Sequence, residues 1–547
     1  MSPSNPFLKN RLPLAFLILF SAILVLTGLG GQALQVDEGS DTLVSTTILK
    51  YGVPRHSDGV NHTMDYADIH DGLFIYRTWF PYYLQALSLS VFGKTSFAAR
   101  LPFALAGIAS VICLYFFALK LTQNRTAAFL SALFLASSVP ALLYFRTARY
   151  AGLPILLTIL LLYFYIKIFD DGKWRPAPFI ATAVIFFHTM YVEFAGAVLG
   201  ILIHFLVHRK SVAQENIGKP VWAGAVIAVF TLPWLIFIFP VFSKISQFYQ
   251  SASSYVDPSM LGYLKHFSGY LFQINNYIFP LILFPLLWTR RLESWRKEIQ
   301  LLWFCLLTIM VTASLHSIPL QQYIAAVFPL FFILLAMVIA GCFQAYPIVR
   351  WVLAGTLIAT NLIHVGPLLP VKEALKRTPE WFDANDYLQY TYNTFMREVR
   401  PASVFYEHSH EITHPFQGPQ DRVLRFFKTH GKPGDSCYID NERDSLAFYT
   451  GMKLLHREDL MSGEIPDWIV LRGERRFLEN DVSGSPVAGR LLKILQSNPY
   501  RKLELPGPIN RINNSYDIQL HLFRIPSSAD TILVYQLDRK PHNQETP

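Results

Sequence analysis

Apolar stretches of about membrane-spanning length constrain this fold more than any other feature of the sequence. A helix needs about 20 apolar residues to cross a bilayer. The stretch 178–207 is too long for one crossing, and His188 and Glu193 interrupt it, so we divide it in two. The sequence therefore predicts a polytopic α-helical membrane protein with about eleven transmembrane helices. The stretches are 12–33, 97–120, 126–145, 151–169, 178–207, 220–241, 270–288, 299–315, 323–343 and 348–369.

The composition agrees with a membrane protein. The chain has 547 residues, of which 52% are hydrophobic and 16% are charged, whereas soluble domains carry about 25% charged residues. The net charge of +9 arises from short basic loops between apolar stretches, so we expect no nucleic-acid partner. Three of the four cysteines lie inside apolar stretches and Cys437 stands alone, which argues against a disulfide framework or a cysteine metal site.

The distribution of basic residues predicts the orientation in the membrane. With the N-terminus in the cytoplasm, the short inner loops contain fifteen Lys and Arg residues, and the longer outer loops contain nine. We expect the first stretch to be a retained helix, because no cleavage site follows it. The inner loops are 1–11, 120–125, 167–177, 208–219, 289–298 and 345–350.

Two regions differ from ordinary spans and loops. Residues 35–96 form a long first outer loop, which is rich in Asp, His, Tyr and Trp. Residues 371–547 follow the transmembrane domain 1–370, carry many charges and contain turn signals. Strand-like runs alternate there with helix-like runs, which predicts a soluble α/β domain on the outer face. The strand-like runs are CYID, DWIVLR and LHLFRI, and the helix-like runs are SLAFYTG and AGRLLKILQ.

An acidic pair, Asp37 and Glu38, follows the first apolar stretch within VDEGSD. Acidic groups close to hydrocarbon cost free energy and often mark function. On a loop leaving a helix, one carboxylate can face a cavity while the other bonds to backbone or to a cation. A carboxylate at such a place suits a general base, and the alternative is a solvated loop.

Cations and imidazoles also lie near the outer membrane surface. Two arginines within four residues suit an anionic ligand such as a lipid phosphate. Arg100, beside Leu-Pro, is interpreted instead as an arginine whose charged end reaches to the interface. The candidate phosphate-binding residues are Arg77 in the first outer loop, Arg146 and Arg149 in RTARY, and His316 and Tyr323 in HSIPLQQY.

These groups together favour one reaction. A sugar on a lipid phosphate would keep its tail in the bilayer while arginines hold the phosphate and stabilise its charge as it leaves. The carboxylate would deprotonate an acceptor hydroxyl that attacks the anomeric carbon. A single displacement would invert the configuration at that carbon.

Four motifs resemble those of GT-C-fold glycosyltransferases of the protein O-mannosyltransferase and aminoarabinose transferase kind. The resemblance implies a polyprenyl-phosphate-linked sugar donor and an active site on the outer face of a bacterial inner membrane. It places the catalytic acidic residue, the general base, on Asp37 with Glu38 as its supporting neighbour. It also places a basic residue on Arg77, which Thr78 follows in place of the relatives' Pro. The motifs are VDEGSDTLVSTTILKYGVP, VFGKTSFAARLPFALAGI, RTARYAGLPILLTILLLYFY and QQYIAAVFPLFFILLA.

Many relatives carry an acidic residue after the third span, but Arg149-Tyr150-Ala151 has none. We therefore expect no metal cofactor, although a divalent metal remains open. A second polar patch in the first outer loop is interpreted as loop surface, with an acceptor or metal site as the alternative. Its members are Asp65, Asp68, Asp71, His62 and His70. His188 and Glu193 within an apolar stretch indicate either buried pairing or a function.

Other classes of protein remain open at this point. A transporter or flippase for a lipid-linked sugar would place charges near the bilayer midplane, often in repeated halves, and neither pattern is present. A receptor with an outer sensor domain would not need an acidic pair below that domain. For a transferase, the acceptor is a lipid, a glycan or a protein.

Overall fold

The computed structural model describes most of the chain, in segments separated by gaps. Those segments are 6–63, 72–75, 77–171, 175–208, 218–252, 259–274, 289, 292–316, 319–360, 403–472, 486–508, 513–518, 521–525 and 531–538. The predicted domain boundary at Pro370 lies outside these segments.

Helices make up most of the described part of the first 360 residues. Short 3₁₀ segments at Tyr150–Gly152, Glu293–Trp295 and Gln321–Val327 precede three of them. In chain order the helices are α1 (Pro6–Leu26), α2 (Val36–Tyr51), α3 (Phe80–Phe92), α4 (Ser96–Thr122), α5 (Arg125–Ser137), α6 (Val139–Phe145), α7 (Leu153–Asp171), α8 (Ala177–Phe187), α9 (Tyr191–His208), α10 (Gly218–Ala252), α11 (Met260–Gln273), α12 (Arg296–Ser314), α13 (Phe328–Cys342) and α14 (Pro347–Thr360).

Six helical segments within the described residues are long and apolar enough to cross a membrane. The pair α5 and α6, which is bent by 65°, makes a seventh if it is counted as one span. This number is lower than the predicted eleven, partly because residues 275–288 and 361–369 lie outside the described segments. The predicted division of 178–207 is confirmed, since α8 ends at Phe187 and α9 begins at Tyr191.

Residues 35–96, which were predicted to form the first outer loop, contain the two helices α2 and α3. The acidic pair therefore starts a helix, and the prediction that it lies on a loop was wrong. Gln35 caps the start of this helix. Its side chain accepts from the Asp37 amide, and Glu38 accepts from the Gln35 amide. A left-handed Gly52, with φ of 76°, ends α2.

Glycines let the membrane helices approach one another. Gly196 and Gly200 lie on one face of α9, where an added Cβ would come within 2.5 Å of the backbone of Ile309 and of Cys305 in α12. Small residues four apart commonly allow such packing between membrane helices. Helix α13 lies at the centre of the core, where its residues from Phe328 to Ala340 are buried.

The C-terminal region contains a five-stranded mixed sheet in the order β2-β1-β3-β5-β4. Strand β1 is parallel to β2 and β3, whereas β5 is antiparallel to β3 and β4. The runs CYID and DWIVLR contribute β1 and β3, and no strand occurs in the described part of LHLFRI, 521–525. The elements are α15 (Val404–Thr413), α16 (Pro419–His430), β1 (Ser436–Ile439), α17 (Arg443–Thr450), β2 (Lys453–Leu454), α18 (Arg457–Ser462), β3 (Trp468–Leu471), α19 (Pro486–Ser497), β4 (Tyr500–Pro506) and β5 (Thr531–Leu537).

The C-terminal region packs directly on the start of α2. The Ser445 hydroxyl donates to the Leu34 carbonyl over 2.7 Å, and Asp421 accepts from the Ala33 amide over 2.7 Å. Gly39 is needed at this contact, since an added Cβ would lie 2.5 Å from the Ser445 nitrogen. The helix that carries the acidic pair is therefore fixed between the membrane helices and the C-terminal region.

Candidate active site

Asp37 and Asp41 lie one turn apart on the same face of α2. The Asp41 side chain is only 4% exposed, whereas that of Asp37 is 40% exposed. Tyr82 of α3 donates its hydroxyl to Asp41 over 3.2 Å. Asp41 was not among the predicted site residues, although its spacing of four from Asp37 indicates a shared face once residues 36–51 are recognised as a helix.

Two arginines join these carboxylates into one cluster. Nη1 of Arg149 lies 2.8 Å from Oδ2 of Asp37, and its Nε lies 3.0 Å from Oδ2 of Asp41. Arg77 forms an ion pair with Asp41, and its Nη2 lies 3.8 Å from Oδ1 of Asp37. The structure thus brings together three residues singled out from the sequence, Asp37, Arg77 and Arg149.

The cluster fixes the protonation state of its exposed carboxylate. Burial tends to raise the pKa of Asp37, but the neighbouring Arg149 and Arg77 and a hydrogen bond from Tyr516 outweigh it, so the pKa is lowered from 3.8. Asp37 is therefore ionised in the ligand-free protein at neutral pH. Each arginine is shared between two carboxylates, which aligns both guanidinium groups towards Asp37.

Glu38 points away from the cluster. Its carboxylate accepts from Nε and Nη2 of Arg100 over 2.8 and 2.7 Å, and from the Ala148 amide over 2.7 Å. Arg100 also donates to the carbonyls of Leu29, Gln32 and Ala33. The expectation that one acid of the pair bonds to backbone and to a cation is confirmed. The interpretation of Arg100 as an arginine reaching to the interface was wrong, because its side chain is 8% exposed and paired.

Arg146 is not part of the Asp37 cluster. Its Nη1 donates to the carbonyls of Val25 and Thr27 over 2.8 and 2.7 Å, at the end of α1. Burial lowers the pKa of Arg146 to about 10. Arg146 therefore caps the C-terminal end of α1. Its guanidinium group is directed to these carbonyls and not to Asp37, although the motif RTARY predicted that Arg146 and Arg149 act together.

The segment that carries Arg77 rests on the break between α8 and α9. The Thr78 hydroxyl donates to the Thr189 carbonyl over 2.7 Å, and the Phe80 amide donates to the His188 carbonyl over 3.3 Å. The rings of Trp79 and His188 lie 4.8 Å apart. His188 therefore has a structural role, since the break it occupies supports Arg77.

The third predicted junction supplies Gln322 to the cluster. Its Oε1 lies 3.5 Å from Nη1 of Arg149 and 3.0 Å from the Tyr516 hydroxyl. His316 stacks on Tyr323 with ring centroids 3.8 Å apart. A phosphate role for His316 and Tyr323 stays a prediction.

Tyr516 enters the cluster from the C-terminal region, and nothing in the local sequence indicated it. Its hydroxyl donates to Oδ2 of Asp37 over 3.1 Å, and Arg149 donates to the same hydroxyl. The neighbouring Asp517 accepts from the Tyr144 hydroxyl over 2.8 Å. The C-terminal region therefore contributes Tyr516 to the cluster and touches the carboxylate of Asp37.

Glu193 holds the 3₁₀ segment that carries Gln322. Its buried Oε1 accepts from the Ala326 amide over 2.9 Å. We expect Glu193→Leu to destabilise the protein by about 1–3 kcal/mol, because it leaves a buried amide unpaired. Glu193→Gln retains the carbonyl acceptor and is expected to stay near wild type. Thermal unfolding of both purified variants in detergent checks this, and equal losses in the two would contradict it.

The acidic and imidazole patch of the first outer loop falls mainly outside the described residues. Asp65, Asp68, Asp71 and His70 lie there, and only His62 is described. The His62 carbonyl accepts from Arg443 over 2.8 Å, which joins the loop to the C-terminal region. No group of three His, Cys, Asp or Glu side chains in the described segments is placed to hold a metal ion, and the expectation that the protein needs no metal cofactor stays a prediction.

Part of this chain resembles known mannosyltransferase sequences. The model of the dolichyl-phosphate-mannose-protein mannosyltransferase family matches residues 77–237. YkcB of Bacillus subtilis (strain 168), which is named as a candidate mannosyltransferase, is 28% identical over 155 residues. That match covers 28% of this chain and 21% of YkcB, so it spans about a fifth of the relative's length.

Two solved structures share the fold over almost the whole chain. ArnT from Cupriavidus metallidurans in the apo state gives a TM-score of 0.59 at 14% identity and covers 96% of this chain and 98% of its own. The same protein bound to undecaprenyl phosphate gives 0.57 at 14% identity, with 98% and 99% covered. The chain therefore has the GT-C glycosyltransferase fold, and the resemblance expected from its motifs is confirmed.

Proposed function

We propose that this chain is an integral-membrane, inverting glycosyltransferase that moves a sugar from a polyprenyl-phosphate donor to an acceptor hydroxyl. The observation that carries the proposal is the partly exposed carboxylate of Asp37, held between the guanidinium groups of Arg77 and Arg149. The ArnT structure with undecaprenyl phosphate has the same fold. A proton acceptor and an anion-binding pair meet at one place, as this reaction requires.

The two arginines suit the phosphate of the donor. Arg149 is fixed by its pairing with Asp37 and Asp41. The Arg77 side chain is 23% exposed, so a ligand can reach it. Guanidinium groups bind phosphate oxygens in pairs and stay charged at any relevant pH. The phosphate would share these donors with the carboxylates, and its negative charge would raise the pKa of Asp37. Donor binding would therefore make Asp37 a better base.

The transfer step conserves charge within the cluster. The acceptor oxygen forms a bond to the anomeric carbon, the bond from that carbon to the phosphate oxygen breaks, and Asp37 takes the hydroxyl proton. Asp37, Asp41, Arg77 and Arg149 sum to zero before the step, and the donor phosphodiester adds one negative charge. Afterwards Asp37 is neutral and the released phosphate monoester carries the charge that Asp37 lost. The arginines therefore face a similar total charge throughout the reaction.

The placement in the cell belongs to the same proposal. The basic residues of the short loops support an outward-facing cluster, with eleven crossings and the C-terminal α/β domain on the outer side. A bacterial inner membrane fits the resemblance. In this arrangement the donor tail stays in the outer leaflet, and the C-terminal region covers the sugar end of the donor.

Lipid-phosphate binding tests the proposal without knowledge of the sugar. We expect undecaprenyl phosphate at 100 times its Kd to stabilise the purified protein by about 2.7 kcal/mol, and neutral undecaprenol to stabilise it much less. Arg77→Gln should remove most of the difference. Lys50→Gln, at the far end of α2 and hydrogen-bonded to the Asp58 carbonyl, serves as the charge-matched control. Thermal unfolding in detergent gives the measurement, and equal stabilisation by the phosphate and the alcohol would contradict the proposal.

Transfer itself is measured in membranes that contain the full chain. Undecaprenyl phosphate carrying radiolabelled mannose or aminoarabinose is the donor, and label in cell-envelope lipids, glycans and proteins is the product. The anomeric configuration of the product shows whether the reaction inverts. A product that retains the donor's configuration would overturn the single-displacement scheme.

A further inference from the structure

The Tyr516 hydroxyl lies where three polar groups converge. It is 3.1 Å from Oδ2 of Asp37 and 3.0 Å from Oε1 of Gln322, and Arg149 donates to it. The Tyr516 ring lies over the Arg149 guanidinium with 5.0 Å between the ring centroid and Cζ. The three groups come from α2, from the turn before Tyr150 and from the 3₁₀ segment before α13, so the fold builds this position from distant parts of the chain.

One hydroxyl can bond fully to two of the three groups at a time, because Asp37 and Gln322 both present acceptor oxygens to its single proton. A hydroxyl has one proton to donate and two lone pairs that accept. Arg149 donates to a lone pair, and the carboxylate of Asp37 is the stronger of the two acceptors for the proton because it is charged. A general base needs its oxygen about 2.6–3.2 Å from the hydroxyl that it deprotonates. Asp37 meets that requirement for the hydroxyl now present.

We propose that Asp37, Arg149 and Gln322 form the subsite for the acceptor hydroxyl, and that Tyr516 fills it until an acceptor takes its place. This inference rests on the proposed function, in which Asp37 is the base. While the donor is bound without an acceptor, Tyr516 keeps water from the carboxylate and so limits hydrolysis of the donor. The subsite also gives Gln322 a role in holding the acceptor.

The segment around Tyr516 is anchored independently of the subsite. The Asn513 amide donates to Glu442 over 2.7 Å, and its side chain donates to Asp421 over 3.0 Å. The Asn514 side chain accepts from the Leu522 amide over 2.9 Å. Loss of the Tyr516 hydroxyl therefore leaves the segment attached to the C-terminal region, and Tyr516→Phe tests the hydroxyl alone.

Water is the acceptor probe for the first measurement. With the donor that supports transfer, we expect Tyr516→Phe to raise the release of free labelled sugar about tenfold, the factor typical for loss of a hydrogen bond to a charged group. Tyr500→Phe removes a tyrosine hydroxyl that donates to the Pro466 carbonyl in the C-terminal sheet, and it should leave hydrolysis unchanged. A fall in hydrolysis and transfer together in Tyr516→Phe would make Tyr516 a positioning residue and overturn the proposal.

Glycerol is the probe for the second measurement. We expect Gln322→Leu to raise KM for glycerol about tenfold while stabilisation by undecaprenyl phosphate stays at the wild-type level. Loss of both would assign Gln322 to donor binding and overturn the subsite. Neither result touches the proposed function, which fails separately if Asp37→Asn retains transfer.

Discussion

Asp37→Asn is expected to lower the rate of sugar transfer by about 10²–10⁴-fold, the usual contribution of a general base. The amide keeps the size of the carboxylate and one oxygen to accept from Arg149, but it cannot take the hydroxyl proton. Its neutral side chain leaves an additional net positive charge on the cluster. Binding of undecaprenyl phosphate should therefore be retained or strengthened.

The matched control is Asp58→Asn, in the same segment 35–96 that contains Asp37. Asp58 accepts from the amides of Val60 and Asn61 and lies on the exposed side of the loop. The Asp58→Asn variant should transfer sugar at close to the wild-type rate. If purified Asp37→Asn unfolds at the wild-type temperature and keeps more than a tenth of the wild-type rate, Asp37 is not the base.

The pH dependence follows from the cluster. The acid limb of kcat/KM reports the free enzyme, in which the arginines hold the pKa of Asp37 below 3.8. The acid limb of kcat reports the donor complex, in which the phosphate would raise that pKa. Because protonation of Asp37 removes the base, activity is lost as the pH falls. The acid limb of the kcat profile should therefore lie at higher pH than the acid limb of the kcat/KM profile.

Three charged members of the site could be predicted from the sequence. Asp37, Arg77 and Arg149 are charges at the predicted outer ends of apolar stretches, where charge needs a reason to be present. The alternation of the predicted spans placed all three residues on the same side of the membrane, which is why we expected them to meet. Asp41 was missed because the start of α2 was interpreted as a loop, so the helical spacing was not applied.

The remaining contacts could not be predicted from local patterns. Tyr516 lies 479 positions after Asp37, and only the packing of the C-terminal region on α2 brings the two together. Arg100 and Glu38 are 62 positions apart, and an arginine beside Leu-Pro gives no indication of a buried partner. Arg146 and Arg149 look equivalent in RTARY, yet one caps α1 and the other enters the cluster.

The ion pair of Glu38 and Arg100 is expected to have the largest effect on stability. Both side chains are nearly buried, at 3% and 8% exposure. Arg100→Met would leave the Glu38 carboxylate without its cation and three carbonyls without a donor. Removal of one partner of a buried pair costs about 3–5 kcal/mol. The pair joins α4 to the first turn of α2, so its loss should also displace Asp37 and reduce transfer.

A double-mutant cycle separates the free energy of the ion pair from the free energy of packing its two side chains. We expect the double variant of Arg100→Met and Glu38→Gln to be more stable than Arg100→Met alone, because the uncompensated charge is gone. Lys502→Met is the control, since it breaks an exposed pair with Glu504 whose side chains are 51% and 59% exposed, and it should cost less than about 1 kcal/mol. Thermal and urea unfolding in detergent provide the free energies of unfolding. If Arg100→Met costs no more than Lys502→Met, the pair does not hold α2 in place, and the position of Asp37 must depend on the C-terminal contacts at Leu34 and Gly39 instead.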